Sequence, residues 1–407
     1  MSSSPLLDGE RSAELRSRGN GPRVVVGWLV IAAVLAALAA VIKRRLERAI
    51  DELVVPRCSE PAVGYLIDLD GTMYMPQGLV EGAQDFFRWL RASGTPYAFL
   101  SNTGVKGPLG VQAKFLTPPF RLWEEPVSLR HIHTAALATA QYLQDNAPNG
   151  SRMYVLQGSV SFGHPAKLDS CLRVLRRSAR AFGSWQVRTD LSDSEAKQWA
   201  ADAGRAPVYV VTCDDGMLMD DAAGDPVTGR KGYTGWDFEV LVRAQWLLQN
   251  GGRLVTSAPD ARNPFFENGL VLRIRVNRRA LGAINKLGPG SLHALLLAAT
   301  YPESADRAIV IGKGGSGGTH YMIDRGIAML RDQLPPGSPP LDRRRVALVG
   351  DTLDTDIKAA NLAGIDSVLV TKTGTHTLAD LRSYPGVTPG CAVANVGELA
   401  MGEGGLG

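Results

Sequence analysis

From about residue 60 onward, short apolar runs alternate with longer stretches whose apolar positions recur at helical spacing. That alternation predicts an α/β fold built on a parallel sheet. Four of the runs end the same way. Gly64-Tyr65-Leu66-Ile67 leads into Asp68, and Tyr97-Ala98-Phe99-Leu100 leads into Ser101-Asn102. Ala308-Ile309-Val310-Ile311 leads into Gly312-Lys313, and Val346-Ala347-Leu348-Val349 into Gly350-Asp351. One strand ending in Asp or Ser is ordinary, because turns favour those residues. Four such tips in one chain predict convergence on a single site, since ligands of open α/β sheets bind outside the carboxyl ends of the strands.

About two hundred residues separate the second tip from the third. They carry strand-like runs at 153–156, 207–211 and 253–255, and helical stretches at 134–144 and 237–249. This is too much for a loop and predicts a second α/β domain inserted into the first. The stretches 214–232 and 312–318 are Gly-rich or polar and predict loops.

Ahead of all this, Val24 to Ile42 runs nineteen residues without a charge, between Arg23 and Lys43-Arg44-Arg45. A helix of that length rises about 28 Å, which matches a bilayer core. It predicts a single-pass transmembrane helix; a signal peptide cut near Ala37-Leu38-Ala39 and an organelle-targeting segment are the alternatives. Lys43, Arg44, Arg45 and Arg48 follow the span, against Arg16, Arg18 and Arg23 before it. This balance leans towards a catalytic domain on the cytosolic side. The resulting division is a polar tail (1–23), the span (24–42), a basic stalk (43–60), a core (61–115), the insertion (116–300), the core's second part (301–395) and a flexible tail (396–407).

Composition adds exclusions. Hydrophobic residues make up 45% and charged residues 21%, as in a protein with a real core. The net charge of +4 is small and comes partly from the N-terminal arginines, so nucleic acid is not an expected partner. Cys58, Cys171, Cys213 and Cys391 form no CxxC pair, which predicts four free thiols in a reducing compartment. His131 and His133 stand two apart with no further ligand pattern, so zinc is not expected.

The four tips carry a chemically complete set. Two carboxylates two residues apart, Asp68 and Asp70, can face one site if the chain turns at Gly71. One can attack phosphorus, and the other can protonate the leaving group and then activate water. A phosphate ester repels a carboxylate, so a divalent cation is required, and Asp68 and Asp351 are suitable hard ligands for Mg2+. Ser101 can hydrogen-bond a phosphate oxygen, and Lys313 can balance its charge.

Asp68-Leu69-Asp70-Gly71-Thr72 resembles the DxDGT signature of the haloacid dehalogenase superfamily, and Leu100-Ser101-Asn102 and Gly312-Lys313 resemble its second and third motifs. Residues 350–357, Gly-Asp-Thr-Leu-Asp-Thr-Asp-Ile, are similar to the fourth motif as found in the NagD-like, 4-nitrophenylphosphatase and phosphoglycolate phosphatase group (type IIA). The segment from His133 to Leu143, the stretch from Thr256 to Asp260 (TNxD-like) and the turn Gly288-Pro289-Gly290-Ser291 resemble features of that group's cap. The resemblance spans about residues 62–395.

It implies a Rossmann-like doubly wound core with a large α/β cap, and an Mg2+-dependent phosphatase acting on small phosphate monoesters through an aspartyl-phosphate. Asp68 is then the nucleophile and a metal ligand, and Asp70 the general acid/base, ligating the metal through its backbone carbonyl. Asp351 is the third protein ligand, with Asp356 orienting the site. Ser101 and Lys313 bind phosphate, Asn102 shapes the pocket, and Asp260 is a candidate substrate contact. A homodimer through the cap is also expected. The Gly-rich run Gly314 to Gly318 departs from the group's pattern and implies a looser hold on Lys313. The alternative reading is a membrane-tethered, non-catalytic binding or scaffold protein that reuses the fold.

Overall fold

The computed structural model describes residues 34–43 and 55–400, except 57, 59, 76, 105–106, 157–170, 183–184, 214–237, 265, 268–269, 272, 277–278 and 284. The predicted loop at 214–232 therefore lies outside the described residues.

The chain begins its main unit with β1 (Gly64–Ile67), a two-strand flap β2 (Tyr74–Met75) and β3 (Gly78–Leu79), then β4 (Tyr97–Ser101) and β5 (Ile132–Thr134). There follow β6 (Arg152–Leu156), β7 (Gln186–Arg188), β8 (Val208–Thr212) and β9 (Arg253–Thr256). Short antiparallel pairs come next: β10 (Arg262–Pro264) with β15 (Asn285–Leu287), β11 (Phe266–Glu267) with β12 (Leu270–Val271), and β13 (Arg273–Val276) with β14 (Arg279–Ala283). The chain closes with β16 (Ala308–Val310), β17 (Val346–Gly350), β18 (Asp366–Val370) and β19 (Cys391–Val393).

Two parallel sheets result. The first has the order β19-β18-β17-β1-β4-β5, the second β16-β9-β8-β6-β7. In the first, β1 pairs in register with β17 on one side and β4 on the other. The chain winds outward through β4 and β5, makes the second sheet, and returns to β17 across β1. This reversal of direction puts the topological switch point at the carboxyl end of β1. The apolar runs are continuous because both faces are covered. Leu66, Ala98, Leu100 and Leu348 pack into one core, while Tyr65, Ile67, Phe99, Ala347 and Val349 pack into the other.

Helices cover those faces by the expected periodicity. In Ala83–Ser93 the buried residues are Ala83, Phe86, Phe87 and Leu90, the stripe an amphipathic helix presents to a core. Thr134 caps the helix Ala135–Asn146 by accepting the Leu137 N–H at 3.4 Å. The first core also takes in Val155, Val211 and Val255 of the second sheet, so apolar packing is continuous between the two sheets.

Two expectations change here, and a third gains no support. Of the four tip-bearing strands, β1, β4 and β17 are neighbours, but β16 lies in the second sheet, paired with β9. The apolar pattern of β16 marks a strand without saying which partner it will find. The four cysteines are not free thiols: Cys58 is bonded to Cys391 and Cys171 to Cys213. Their separations of 333 and 42 residues carry no trace of this proximity; folding brings the Cα atoms to 5.1 and 5.8 Å, within bonding reach. Among the described residues no helix is long and apolar enough to cross a membrane. Residues 34–43 are helical and exposed, a length that rises only about 15 Å, and residues 24–33 of the predicted span lie outside the described residues.

Candidate active site

The end of β1 delivers Asp68, whose N–H donates to the Val349 carbonyl at 2.8 Å. The ladder to β17 thus continues into the site and sets where Asp68 leaves the sheet. Three residues later the chain turns at Gly71, with φ +85°. A Cβ there would lie 2.4 Å from Asp351 Oδ2, so the glycine is needed both for the turn and for the close approach of Asp351.

Asp351, just past β17, accepts the Thr375 N–H at 2.7 Å through Oδ2. Five residues on, within Leu353–Ile357, Asp356 accepts the Thr352 hydroxyl at 2.7 Å and the Thr352 N–H at 3.2 Å. The carboxylates of Asp68, Asp351 and Asp356 lie together, ligand atoms all within 4.8 Å of one another, and only 7%, 2% and 1% exposed. Lys313 is buried among them, donating to Asp68 Oδ1 and, at 2.6 Å, to Asp356 Oδ1.

Electrostatics follow from this crowding. Burial pushes the Asp68 carboxyl well above its usual range; Lys313 pulls it back, and Asp356 and Asp351 push it up again. Asp351 is pushed up to about 7, first by burial and then by Asp356, against the Thr375 N–H. Burial alone would lower the Lys313 ammonium, but Asp356 and Asp68 hold it above its ordinary value, so it stays protonated. Three buried carboxylates facing one ammonium form a set of hard oxygens that suits a divalent cation; these residues can hold a metal ion.

Asp70 points elsewhere. Its side chain is 71% exposed, with Oδ2 accepting the Tyr74 hydroxyl at 3.3 Å and Oδ1 lying 3.9 Å from Lys114 Nζ. Lys114 in turn sits 3.3 Å over the Tyr74 ring. Asp70 is therefore open to an incoming group, and its carboxylate is outside the cluster. Ser101, 3% exposed at the end of β4, accepts the Thr103 N–H at 3.2 Å. Asn102 grips Lys313 directly: Oδ1 accepts the Lys313 N–H at 2.8 Å, and Nδ2 donates to the Lys313 carbonyl at 3.3 Å.

The loop after Lys313 is not loose. Gly315 N–H donates to Gly312 at 2.9 Å, Gly317 to Val310 at 2.8 Å, and Gly318 to Gly315 at 3.0 Å. The glycines let the chain fold back on itself and leave Lys313 fixed at its base.

Two residues do more than their sequence reading implied. Asp356, expected to orient the site, is a full member of the carboxylate cluster, and its place five residues beyond Asp351 in the same strand-end segment is the signal that could have shown it. Asp260, read as a substrate contact, accepts the Asn102 amide at 2.9 Å; burial pushes its carboxyl up to about 6, against the pull of Lys313. Tyr74 and Lys114 had no signal at all, since their role exists only through contact with Asp70.

A doubly wound sheet with a buried carboxylate–lysine centre at its switch point defines an α/β protein built to hold an anionic group beside a cation. Comparisons with known proteins make the class specific. Residues 65–162 match the family model described as haloacid dehalogenase-like hydrolase, and residues 319–399 match the one described as HAD-hydrolase-like. An acid sugar phosphatase of Staphylococcus aureus (strain MRSA252) is 38% identical over 319 residues, 78% of this chain and 90% of that protein. The chain belongs to the haloacid dehalogenase-like hydrolases. Among solved structures, the fold is similar to hypothetical protein PH1952 of Pyrococcus horikoshii OT3, with TM-score 0.54, 24% identity, and 83% and 97% of the two chains covered. It is also similar to a glycerol phosphate phosphatase of Mycobacterium tuberculosis in complex with magnesium, with TM-score 0.54, 22% identity, and 84% and 78% covered. NagD of Escherichia coli K-12 matches with TM-score 0.52, 17% identity, and 83% and 98% covered.

Proposed function

We propose that this hydrolase is a magnesium-dependent phosphatase cleaving small phosphate monoesters, with sugar and polyol phosphates as the substrate class. The observation that carries the reading is the buried carboxylate of Asp68, held beside the Lys313 ammonium and two further carboxylates at the switch point. The substrate class rests on the names of relatives, an acid sugar phosphatase and a glycerol phosphate phosphatase.

Asp68, Asp351 and Asp356 would hold Mg2+, which supplies charge neutralisation to the phosphoryl group. Lys313 and Ser101 bind the phosphoryl oxygens. Asp68 Oδ attacks phosphorus as the ester P–O bond breaks, giving an acyl-phosphate on Asp68. Asp70, exposed and held by the Tyr74 hydroxyl, gives its proton to the departing alkoxide, releasing the alcohol. The Asp70 carboxylate then takes a proton from water, whose oxygen attacks phosphorus. Cleavage of the acyl-phosphate P–O bond returns the Asp68 carboxylate and inorganic phosphate.

Turnover of 4-nitrophenyl phosphate with magnesium, followed by a panel including glycerol phosphate, sugar phosphates and phosphoglycolate, tests this reading. Asp68→Asn should lose at least about a thousandfold in kcat. Equal background rates in wild type and variant would favour a non-catalytic scaffold instead. As for placement, the apolar run Val24 to Ile42 supports a tether to a membrane, which partitioning of the full chain against one starting at residue 55 would check.

A further inference from the structure

The Asn102–Lys313 grip has a third member. Asp260 follows β9, the strand paired with β16, and its carboxylate reaches from the second sheet to the loop after β4. Asp260 Oδ2 accepts the Asn102 Nδ2 hydrogen at 2.9 Å. Asn102 uses its remaining acceptor on the Lys313 N–H at 2.8 Å. Its amide is therefore fixed in orientation: turned over, it would present a carbonyl oxygen to the Asp260 carboxylate and an amine to the Lys313 N–H. Asp260 itself is anchored through its backbone. Its carbonyl accepts the Gly290 N–H at 3.0 Å, and a Cβ on Gly290 would come within 2.1 Å of the Pro259 carbonyl oxygen. The TNxD-like stretch and the Gly288-Pro289-Gly290-Ser291 turn, separate in sequence, thus hold one carboxylate in place.

We infer that Asp260 is a positioning residue for phosphate binding: it locks the amide of Asn102 and through it the backbone of Lys313, so that a carboxylate of the second sheet, acting through the loop after β4 of the first, fixes the phosphate-binding ammonium. Its kinetic readout rests on the phosphatase reading, whereas its binding readout does not. Asp260 makes this contact with a hydrogen-bond acceptor, and an asparagine keeps one. The inference therefore separates two substitutions of nearly equal disruption to charge. Asp260→Ala removes the acceptor and frees Asn102 to turn; Asp260→Asn retains it.

The experiment measures inorganic phosphate affinity of the magnesium-loaded protein by calorimetry, together with kcat and KM where turnover is found, for wild type, Asp260→Ala, Asp260→Asn, Asn102→Ala and Asp260→Ala/Asn102→Ala. Asp260→Ala should weaken phosphate about tenfold, the scale of one lost charged hydrogen bond, and Asp260→Asn by less than about threefold. The double variant should be no weaker than Asn102→Ala alone, because both act through one contact. Additive losses, an alanine variant equal to wild type, or an asparagine variant as weak as alanine would each overturn the inference. If the alanine variant does not fold, the exchange Asn102→Asp/Asp260→Asn decides. Asn102→Asp alone should lose phosphate affinity and the pair should recover most of it, since the contact between the two side chains is restored with donor and acceptor exchanged and only the longer amide bond to the Lys313 carbonyl is lost; no recovery overturns the inference. A wild type that binds phosphate but hydrolyses no ester would sink the phosphatase reading and leave this one to be decided on affinity.

Discussion

Asp68 shows how far one residue could be read before the structure. Its apolar strand, its distance of two from Asp70 and the glycine after them placed it at a strand end with the right chemistry. What could not be read is its company: Lys313 and Asp356 reach it from 245 and 288 residues away, and only the fold sets those contacts. Gly71 is the sharpest single-residue test of that packing. Gly71→Ala forces a left-handed backbone on a residue with a Cβ, costing about 1–2 kcal/mol, and drives that Cβ into Asp351. Activity should therefore fall far more than thermal stability does; a variant with wild-type turnover would contradict the close approach. His133 gives a pH-dependent counterpart. It is fully enclosed, with Nε2 2.8 Å from the Tyr321 carbonyl, and burial holds its imidazole down at about 4 from an ordinary 6.5. Between those values the unfolded chain carries the proton and the folded one does not, so stability rises with pH there. The contribution is fully present above about pH 6.5 and is lost as pH falls towards 4, on the order of 3 kcal/mol in all. Urea melts of wild type against His133→Gln at pH 7, 5.5 and 4 should show the wild type's disadvantage growing on acidification.

At the scale of elements, the strand tips were legible because each apolar run stops at its polar residue. The run before Lys313 was equally clear, yet its strand sits in the second sheet beside β9. A short apolar strand carries no mark of which sheet it will join. The consequence is that Lys313 is carried by the second sheet while Asp68, Ser101 and Asp351 are carried by the first. Their convergence leaves three buried carboxylates around one ammonium, and this predicts strong linkage to a cation. Magnesium at about a hundred times its dissociation constant should raise stability by about 2.7 kcal/mol, read as a rise in Tm. Asp351→Asn should abolish most of that rise, and an unchanged wild-type Tm at saturating magnesium would argue against a metal at this cluster.

For the whole molecule, the two disulfides revise the picture most. Cys58–Cys391 ties the segment before β1 to the last strand, where the Ala392 N–H also donates to the Pro56 carbonyl at 3.2 Å. Cys171–Cys213 ties the start of the helix Cys171–Phe182 to the end of β8. Such bonds persist in oxidising compartments, so free thiols no longer support a cytosolic catalytic unit. The protein unfolded without reductant should show no thiol reactive to Ellman's reagent, and replacing the Cys58–Cys391 pair by serines should cost about 2–4 kcal/mol. Four reactive thiols would restore the reducing-compartment reading.

On the proposed mechanism, Asp68 is phosphorylated and then dephosphorylated in each turnover. Acid-quenching the magnesium-loaded protein during turnover of a phosphate ester, then mapping by mass spectrometry, tests it most directly. One phosphoryl group is expected on the peptide containing Asp68, removed by hydroxylamine and absent from Asp68→Asn. Steady turnover with that peptide unmodified in wild type, or undiminished turnover by Asp68→Asn, would contradict it.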